Sequence, residues 1–330
     1  MKDTFWNERQ VFVTGASGFI GAWLIKELIK NGAHIVTLIR DPDPQSEYFR
    51  SGDYQKTTII QGMLEDFNTL ERSISEFEPD TIFHLAAQTL VGVGMRSPLY
   101  TFEANIRGTY NLLEACRTHE DIIQRVVIAS SDKAYGAKHE LPYKESMPLE
   151  GKYPYEVSKS CADLISQSYF HSYGLPVAIA RCGNVYGGGD LNWSRIIPGA
   201  IRAGIQQNPF KIRSDGRYVR DYIYVKDVVA GYLKLAEKID DDHVRGAAFN
   251  FGPGRGISVL DIIERIEGSM DQEIEKHILD VAEGEIFEQY LDPSNAEKVL
   301  DWQPGYNLDE GLVETISWYR EYFNKIIKSN

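Results

Sequence analysis

The chain has 330 residues, 43% of them hydrophobic and 25% charged, enough apolar content for one large α/β domain or two closely joined ones. Its formal net charge of −13 excludes a general nucleic-acid binder, which carries a basic face, but leaves open an anionic small molecule held by local arginines. Cys116, Cys161 and Cys182 are too few and scattered for a disulfide framework or a zinc site, and the polar N-terminus and lack of a long apolar run point to a cytoplasmic enzyme with no membrane partner.

Val11-Phe12-Val13-Thr14 is a short, apolar, β-branched run that reads as a buried parallel strand. It ends in Gly15-Ala16-Ser17-Gly18-Phe19-Ile20-Gly21. From Phe19 to Asn31, Ile20, Leu24, Leu28 and Ile29 recur on one helical face, with Gly32 where a helix should end. His34 to Ile39 is a second strand. Further strands are expected at 57–61, 81–85, 125–130 and 176–180, with helices at 70–77, 100–118 and 155–173. This alternation predicts an α/β fold with a Rossmann-type doubly wound parallel sheet. After residue 183 the pattern loosens into a smaller C-terminal α/β lobe that ends in a helix near 308–325. The expected division is a dinucleotide-binding domain at 1–183, with 222–253 returning to it, and a substrate lobe at 184–221 and 254–330.

The glycine turn follows the first strand and opens the first helix. Gly15, Gly18 and Gly21 permit a tight turn, and with Ser17, Phe19 and Ile20 they bring backbone amides to a diphosphate at the positive helix end. At the end of the second strand, Arg40 can pair with an adenosine 2′-phosphate, which favours NADP. Asp41 next to it can reach the ribose hydroxyls instead, which keeps NAD as the alternative. Tyr155 and Lys159 are four residues apart and share a helix face. In such a pair the tyrosine exchanges a proton with a substrate hydroxyl, while the lysine lowers its pKa and holds the nicotinamide ribose. Ser131, just after a predicted strand, is placed to hydrogen-bond the reacting hydroxyl.

The segments His84-Leu85-Ala86-Ala87-Gln88, Asn105-Ile106-Arg107-Gly108-Thr109, Arg220-Asp221-Tyr222-Ile223-Tyr224-Val225-Lys226-Asp227 and Asn250-Phe251-Gly252 complete the pattern. Over nearly its whole length the chain resembles the extended short-chain dehydrogenase/reductases, in their sugar-nucleotide epimerase and dehydratase branch. The resemblance implies cofactor contacts from Leu64, Leu85, Ala86 and Ala87, and substrate contacts from Gln88, Asn184, Arg195 and Arg220, the two arginines on the diphosphate. Met63 stands where the family usually has an aspartate for the adenine amino group, so that contact is lost or passes to the backbone of Leu64. Gly187-Gly188-Gly189 resembles the CDP-glucose dehydratase pattern. The helices at 100–118 and 155–173 resemble a family dimer interface, which implies a homodimer or higher homo-oligomer.

In this family the residues after the serine separate the subfamilies, and here they read Asp132-Lys133. The pair is similar to that of CDP-glucose and UDP-N-acetylglucosamine 4,6-dehydratases. It implies that Asp132 protonates the departing C6 hydroxyl of a CDP- or UDP-linked sugar, and that Lys133 takes the place of the glutamate that removes the C5 proton in dTDP-glucose dehydratases. The implied product is a 4-keto-6-deoxy sugar, formed with a tightly retained cofactor that is not consumed. A C4 or C5 epimerase is the alternative, with an oxidoreductase acting on an already dehydrated UDP-sugar as a variant. A non-enzymatic dinucleotide sensor is the remote reading, because such a protein would be expected to lose the tyrosine-lysine pair.

Overall fold

The computed structural model describes residues 5–281 and 285–329. Seven strands form one sheet: β1 (Gln10–Thr14), β2 (His34–Ile39), β3 (Thr58–Gln61), β4 (Thr81–His84), β5 (Arg125–Ala129), β6 (Val177–Cys182) and β7 (Ala248–Phe251). Their spatial order is β7-β6-β5-β4-β1-β2-β3, and every pairing is parallel. The strand order reverses between β1 and β4, which opens a crevice at the carboxyl ends of those strands. The expected Rossmann-type sheet is present.

Apart from the exposed edge strand β3, the strands are apolar on both faces because helices cover both faces. Val11 and Val13 of β1 pack with α1 (Phe19–Lys30) and the helix Val225–Glu237, while Phe12 between them packs into the opposite layer. That second layer holds α2 (Phe67–Phe77), a long segmented helix α3 and α4 (Pro154–Tyr173). In α3, Pro98–Phe102 leads into a π-helical turn, Glu103–Arg107, and on into Gly108–Thr118. A third apolar core, including Ile201, Ile262, Ile266, Leu312 and Tyr319, lies among the helices Ile196–Gln206, Val259–Met270 and Leu308–Ser329.

Several boundaries differ from the sequence expectation for local reasons. The second helix begins at Phe67 rather than at residue 70, because the Asp66 carboxylate accepts from the Asn68 and Thr69 amides and caps it. The first helix ends at Lys30 with Asn31 as its cap, and Gly32 follows with φ +87°. β6 runs on to Cys182, two residues beyond the expected end. Of the cysteines, all free, Cys116 and Cys182 are buried and Cys161 is only half-buried.

Small strand pairs join the C-terminal helices to the sheet. Asn184–Tyr186 pairs in parallel with Tyr222–Tyr224. Val219–Arg220 lies between Ile257–Ser258 and Glu288–Gln289. Among the described residues, no helix is long and apolar enough to cross a membrane.

Candidate active site

The turn between β1 and α1 is built from backbone. Gly15 has φ +82°, and a Cβ there would lie 2.6 Å from the Ala86 nitrogen, so the carboxyl ends of β1 and β4 touch through this glycine. A Cβ on Gly21 would lie 2.1 Å from the Gly15 carbonyl oxygen. Gly18 caps α1 with no side-chain hydrogen bond, which leaves the first-turn amides of Phe19, Ile20 and Gly21 available to an anion at the positive helix end. Such a glycine-built cradle at the strand reversal fits the diphosphate of a dinucleotide.

The neighbouring strand ends complete the crevice. Leu85 N donates to Thr14 O at 3.1 Å, and Ala86 N to the Thr14 hydroxyl at 3.3 Å. Buried Asn105, in the π-helical turn, accepts from Gln88 N at 2.6 Å and donates to Gln88 O and to the Ser158 hydroxyl. The turn thereby ties the segment Leu85–Gln88 to the helix that carries Tyr155. Leu64 is buried, and its carbonyl accepts from Asn111 Nδ2 at 3.1 Å, while Met63 is exposed. Arg40 forms an exposed ion pair with Asp41, 2.5 Å from Nε to Oδ2, with its guanidinium 5.6 Å from the Tyr100 ring centre.

Pro154 at the first position of α4, and Glu156 bonding back to the Lys152 and Tyr153 amides, set Tyr155 in the first helical turn with Lys159 one turn later. A buried ion pair braces this helix: Arg181 on β6 meets Asp163 on α4 through one guanidinium edge, Nε and Nη2, at 2.8 and 2.9 Å, and the Ser130 hydroxyl donates to the same carboxylate. Removing one partner of such a pair costs about 3–5 kcal/mol. Lys159 is 7% exposed and donates to the Ala129 carbonyl at 2.7 Å. Burial pushes its ammonium down to about 8. Burial pushes the Tyr155 phenol up to about 12, against the opposing pull of Arg195 and of a hydrogen bond with Ser131.

Ser131 caps a short 3₁₀ turn, Asp132–Tyr135, by accepting from Lys133 N at 3.2 Å, and its hydroxyl donates to Asp132 Oδ1 at 2.9 Å. Asp132 is buried, and Lys133 Nζ lies 3.8 Å from its second oxygen. The Lys133 ammonium donates to the side-chain oxygen of Gln289, whose Nε2 donates to the Asp132 carbonyl at 2.8 Å. Burial holds Lys133 below the usual lysine range; Asp132 opposes this and Arg220 reinforces it.

The substrate-side residues converge on the same region. Arg195 pairs with buried Asp190 at 2.8 Å and is close enough to Tyr155 for each to alter the other's titration. Arg220 donates to the carbonyls of Val219, Ile286 and Phe287. Asn184 Nδ2, Asp132 Oδ2 and Asp221 Oδ1 are buried with no hydrogen-bond partner among the described residues. Asp132 adjoins Ser131, and orphaned donors and acceptors of this kind suit a polyhydroxylated ligand. The sequence does not point to Gln289, and it offers Asp190, at the end of the segment 183–190, and Asp221 only as parts of motifs. Gln289 is 157 residues from Asp132, and no local pattern marks it.

Residues 12–315 match the family described as GDP-mannose 4,6 dehydratase. The chain is 32% identical to the CDP-glucose 4,6-dehydratase of Salmonella typhimurium, with 96% of this chain and 92% of that protein aligned. It is 29% identical to the UDP-glucuronate 4-epimerase of Thermodesulfobacterium geofontis, over 96% of this chain and 98% of that protein. Among solved structures it resembles a dTDP-glucose 4,6-dehydratase of Streptomyces venezuelae with NAD bound. The TM-score is 0.84 at 25% identity, over 94% of this chain and 97% of the other.

Proposed function

This chain belongs to the family described as GDP-mannose 4,6 dehydratase, among the nucleotide-sugar dehydratases and epimerases of short-chain dehydrogenase/reductase fold, and from that premise we propose that it is a nucleotide-sugar 4,6-dehydratase. The observation that carries the reading is the Asp132-Lys133 pair directly after Ser131, with Asp132 buried and Lys133 half-buried, both gripped by Gln289. A C4 epimerase has no use for an acid and a base beyond the C4 hydroxyl. The similarity to the Salmonella CDP-glucose enzyme, together with Gly187-Gly188-Gly189, supports a CDP-linked hexose as the first substrate to test, with UDP-N-acetylglucosamine beside it.

A nicotinamide cofactor fits the turn Gly15–Gly21, with Lys159 and Tyr155 toward its ribose and Leu64, Leu85, Ala86 and Ala87 along its length. When bound it supplies the redox chemistry, removal of hydride from C4 and its return at C6, and a positive charge that lowers the Tyr155 pKa. We take it to be NADP on the strength of Arg40, with NAD, the cofactor of the Streptomyces relative, as the alternative.

Tyr155 takes the proton of the C4 hydroxyl, which Ser131 also hydrogen-bonds. The 4-keto group acidifies the C5 proton, and Lys133, kept toward neutrality by burial, removes it. Asp132 gives its proton to the C6 hydroxyl, the C6–O bond breaks, and water leaves. Lys133 then returns its proton to C5. The sugar loses one water, and the proton that Tyr155 gained equals the one that Asp132 lost. Asn184, Arg195 and Arg220 hold the nucleotide diphosphate, and Gln88 lines the sugar side. For Arg195 and Arg220 this role requires exchange of their present partners, Asp190 and the three carbonyls, for phosphate oxygens.

Leu99, Leu164 and Tyr173 are more than half exposed on α3 and α4, which supports dimerisation through these helices; light scattering that finds a monomer at micromolar concentration would remove that part of the proposal. The reaction is tested by mass spectrometry of the purified protein incubated with CDP-glucose and, separately, with UDP-N-acetylglucosamine. Loss of one water, with solvent deuterium entering at C5, is the expected result. An isomer of unchanged mass in ordinary water would make the protein an epimerase.

A further inference from the structure

Arg220 grips the stretch of chain that carries Gln289, and the inference drawn from this rests on the dehydratase reading, which puts a nucleotide diphosphate on the same guanidinium. Nη1 donates to the Val219 carbonyl at 2.7 Å and to the Phe287 carbonyl at 3.1 Å, and Nη2 donates to the Ile286 carbonyl. Backbone pairing there is short. Glu288 and Gln289 lie in parallel register with Val219 and Arg220, and Val219 N donates to Phe287 O at 2.9 Å.

The other end of the stretch is fixed independently of Arg220. Leu291 is buried, and its amide donates to the Asp221 carboxylate at 3.1 Å. Tyr143 N donates to the Tyr290 carbonyl, and Asp292 N to the Tyr143 carbonyl, each at 2.9 Å. By contrast Phe287, on the Arg220 side, is more than half exposed, with its ring 5.2 Å from that of Tyr218. One end is thus anchored in the core, while the surface end depends on a guanidinium and a two-residue ladder. Between them lies the buried side chain of Gln289, which donates to the Asp132 carbonyl at 2.8 Å and accepts from the Lys133 ammonium. The placement of the Lys133 amine therefore passes through this strand to Arg220.

We propose that Arg220 is a latch that makes the placement of Lys133 conditional on a bound nucleotide diphosphate. Phosphate oxygens carry charge and are stronger acceptors for a guanidinium than neutral carbonyls. When they take it, the carbonyls of Ile286 and Phe287 lose their charged donor and the surface end of the strand loosens. The Leu291 end stays in place, so the strand swings about it, and Gln289 carries the Lys133 amine to C5. Arg220 then acts as a positioning residue for Lys133 as well as a phosphate ligand, and proton removal is reserved for a sugar that is linked to its nucleotide.

Hydrogen exchange of the whole purified protein, read by mass spectrometry on a peptide spanning residues 286–292, tests the latch. It is measured without ligand and with saturating CDP, UDP, GDP or dTDP, whose binding is followed by calorimetry. The nucleotide that binds is expected to speed exchange in this peptide by about tenfold, through loss of the charged hydrogen bonds that hold it. In Arg220→Gln the peptide should exchange fast from the start and respond to no nucleotide. Unchanged exchange in the wild type with a nucleotide bound would mean that Arg220 is a merely structural clamp, and slower exchange that the nucleotide touches the strand itself; either overturns the inference. Failure of all four nucleotides to bind overturns it as well. If Arg220→Gln does not fold, the wild-type comparison still decides. Water loss from the sugar judges the reaction separately: dehydration by a protein whose peptide does not respond would remove the latch and leave the dehydratase reading in place.

Discussion

Lys133 and Gln289 are joined by a hydrogen bond from ammonium to amide oxygen that spans 156 residues of chain. The acceptor is neutral, so it orients the amine without adding a charge that would favour the ammonium form. Burial lowers the Lys133 pKa, and a proton acceptor at C5 needs that lowering. In Gln289→Glu, a carboxylate of nearly the same shape would raise the Lys133 pKa. Each unit of rise reduces the neutral fraction about tenfold near pH 7. We therefore expect solvent deuterium incorporation at C5 to slow by about tenfold or more at pH 7 and to recover as pH rises. A uniform loss at all pH values would instead mean that Gln289 serves only to support the fold.

Tyr155 is positioned by the first turn of α4 and stays protonated in the free protein, since burial holds it at about 12. Its replacement by phenylalanine removes the acceptor of the C4 proton but little of the packing. Loss of a positioned acid-base group costs on the order of 10²–10⁴ in rate. For Tyr155→Phe we expect kcat to fall within that range, with cofactor affinity and melting temperature close to those of the wild type. Reduced nicotinamide absorbance in a single turnover measures the step directly.

The sheet was legible because parallel strands covered by helices on both faces must be apolar throughout, as in Val11-Phe12-Val13 and Val126-Val127-Ile128. The start of α2 was less so, because the signal is a single capping aspartate, Asp66, ahead of a polar first turn. Ser131, Asp132 and Lys133 are contiguous, and Tyr155 and Lys159 sit one helical turn apart, so local spacing revealed both groups. Gln289, Asp190 and Asp221 act across long stretches of chain. Gln289 reaches the site because Glu288–Gln289 pairs with Val219–Arg220, a two-residue register with no hydrophobic pattern to announce it. Asp221 stands in a motif noticed for its neighbours. Its burial depends on the close approach of Gly183 and Gly252, which only the folded chain brings together.

His84 couples the base of the cofactor crevice to pH. Its ring is buried between the Thr14 and Thr109 hydroxyls, at 2.8 and 3.1 Å. Burial, helped by the charge of Lys159, pushes it down to about 3 from 6.5. Between those values the unfolded chain binds a proton that the folded protein refuses, so stability rises with pH across the window. The contribution is fully present above about 6.5 and is lost as pH falls toward 3, at up to about 1.4 kcal/mol per pH unit. His84→Gln keeps a polar partner for the threonines and removes the titration. Urea unfolding at a series of pH values should show a shallower acid decline for the variant than for the wild type; parallel declines would mean that His84 titrates normally in the fold.

Arg40 and Asp41 hold each other at the carboxyl end of β2, where the adenosine ribose of a bound dinucleotide would lie. Both side chains are exposed, so the pair is worth little and opens easily for a better partner. A 2′-phosphate is such a partner for Arg40, because it brings more charge and several acceptor oxygens. Hydrogen bonds to charged groups contribute about 1.5–3 kcal/mol, so Arg40→Ala should weaken NADP binding by about 10- to 100-fold and leave NAD binding nearly unchanged. Calorimetric titration with both cofactors reads the difference. If Asp41→Asn weakens NAD while Arg40→Ala leaves NADP untouched, Asp41 selects the cofactor through the ribose hydroxyls and the enzyme uses NAD.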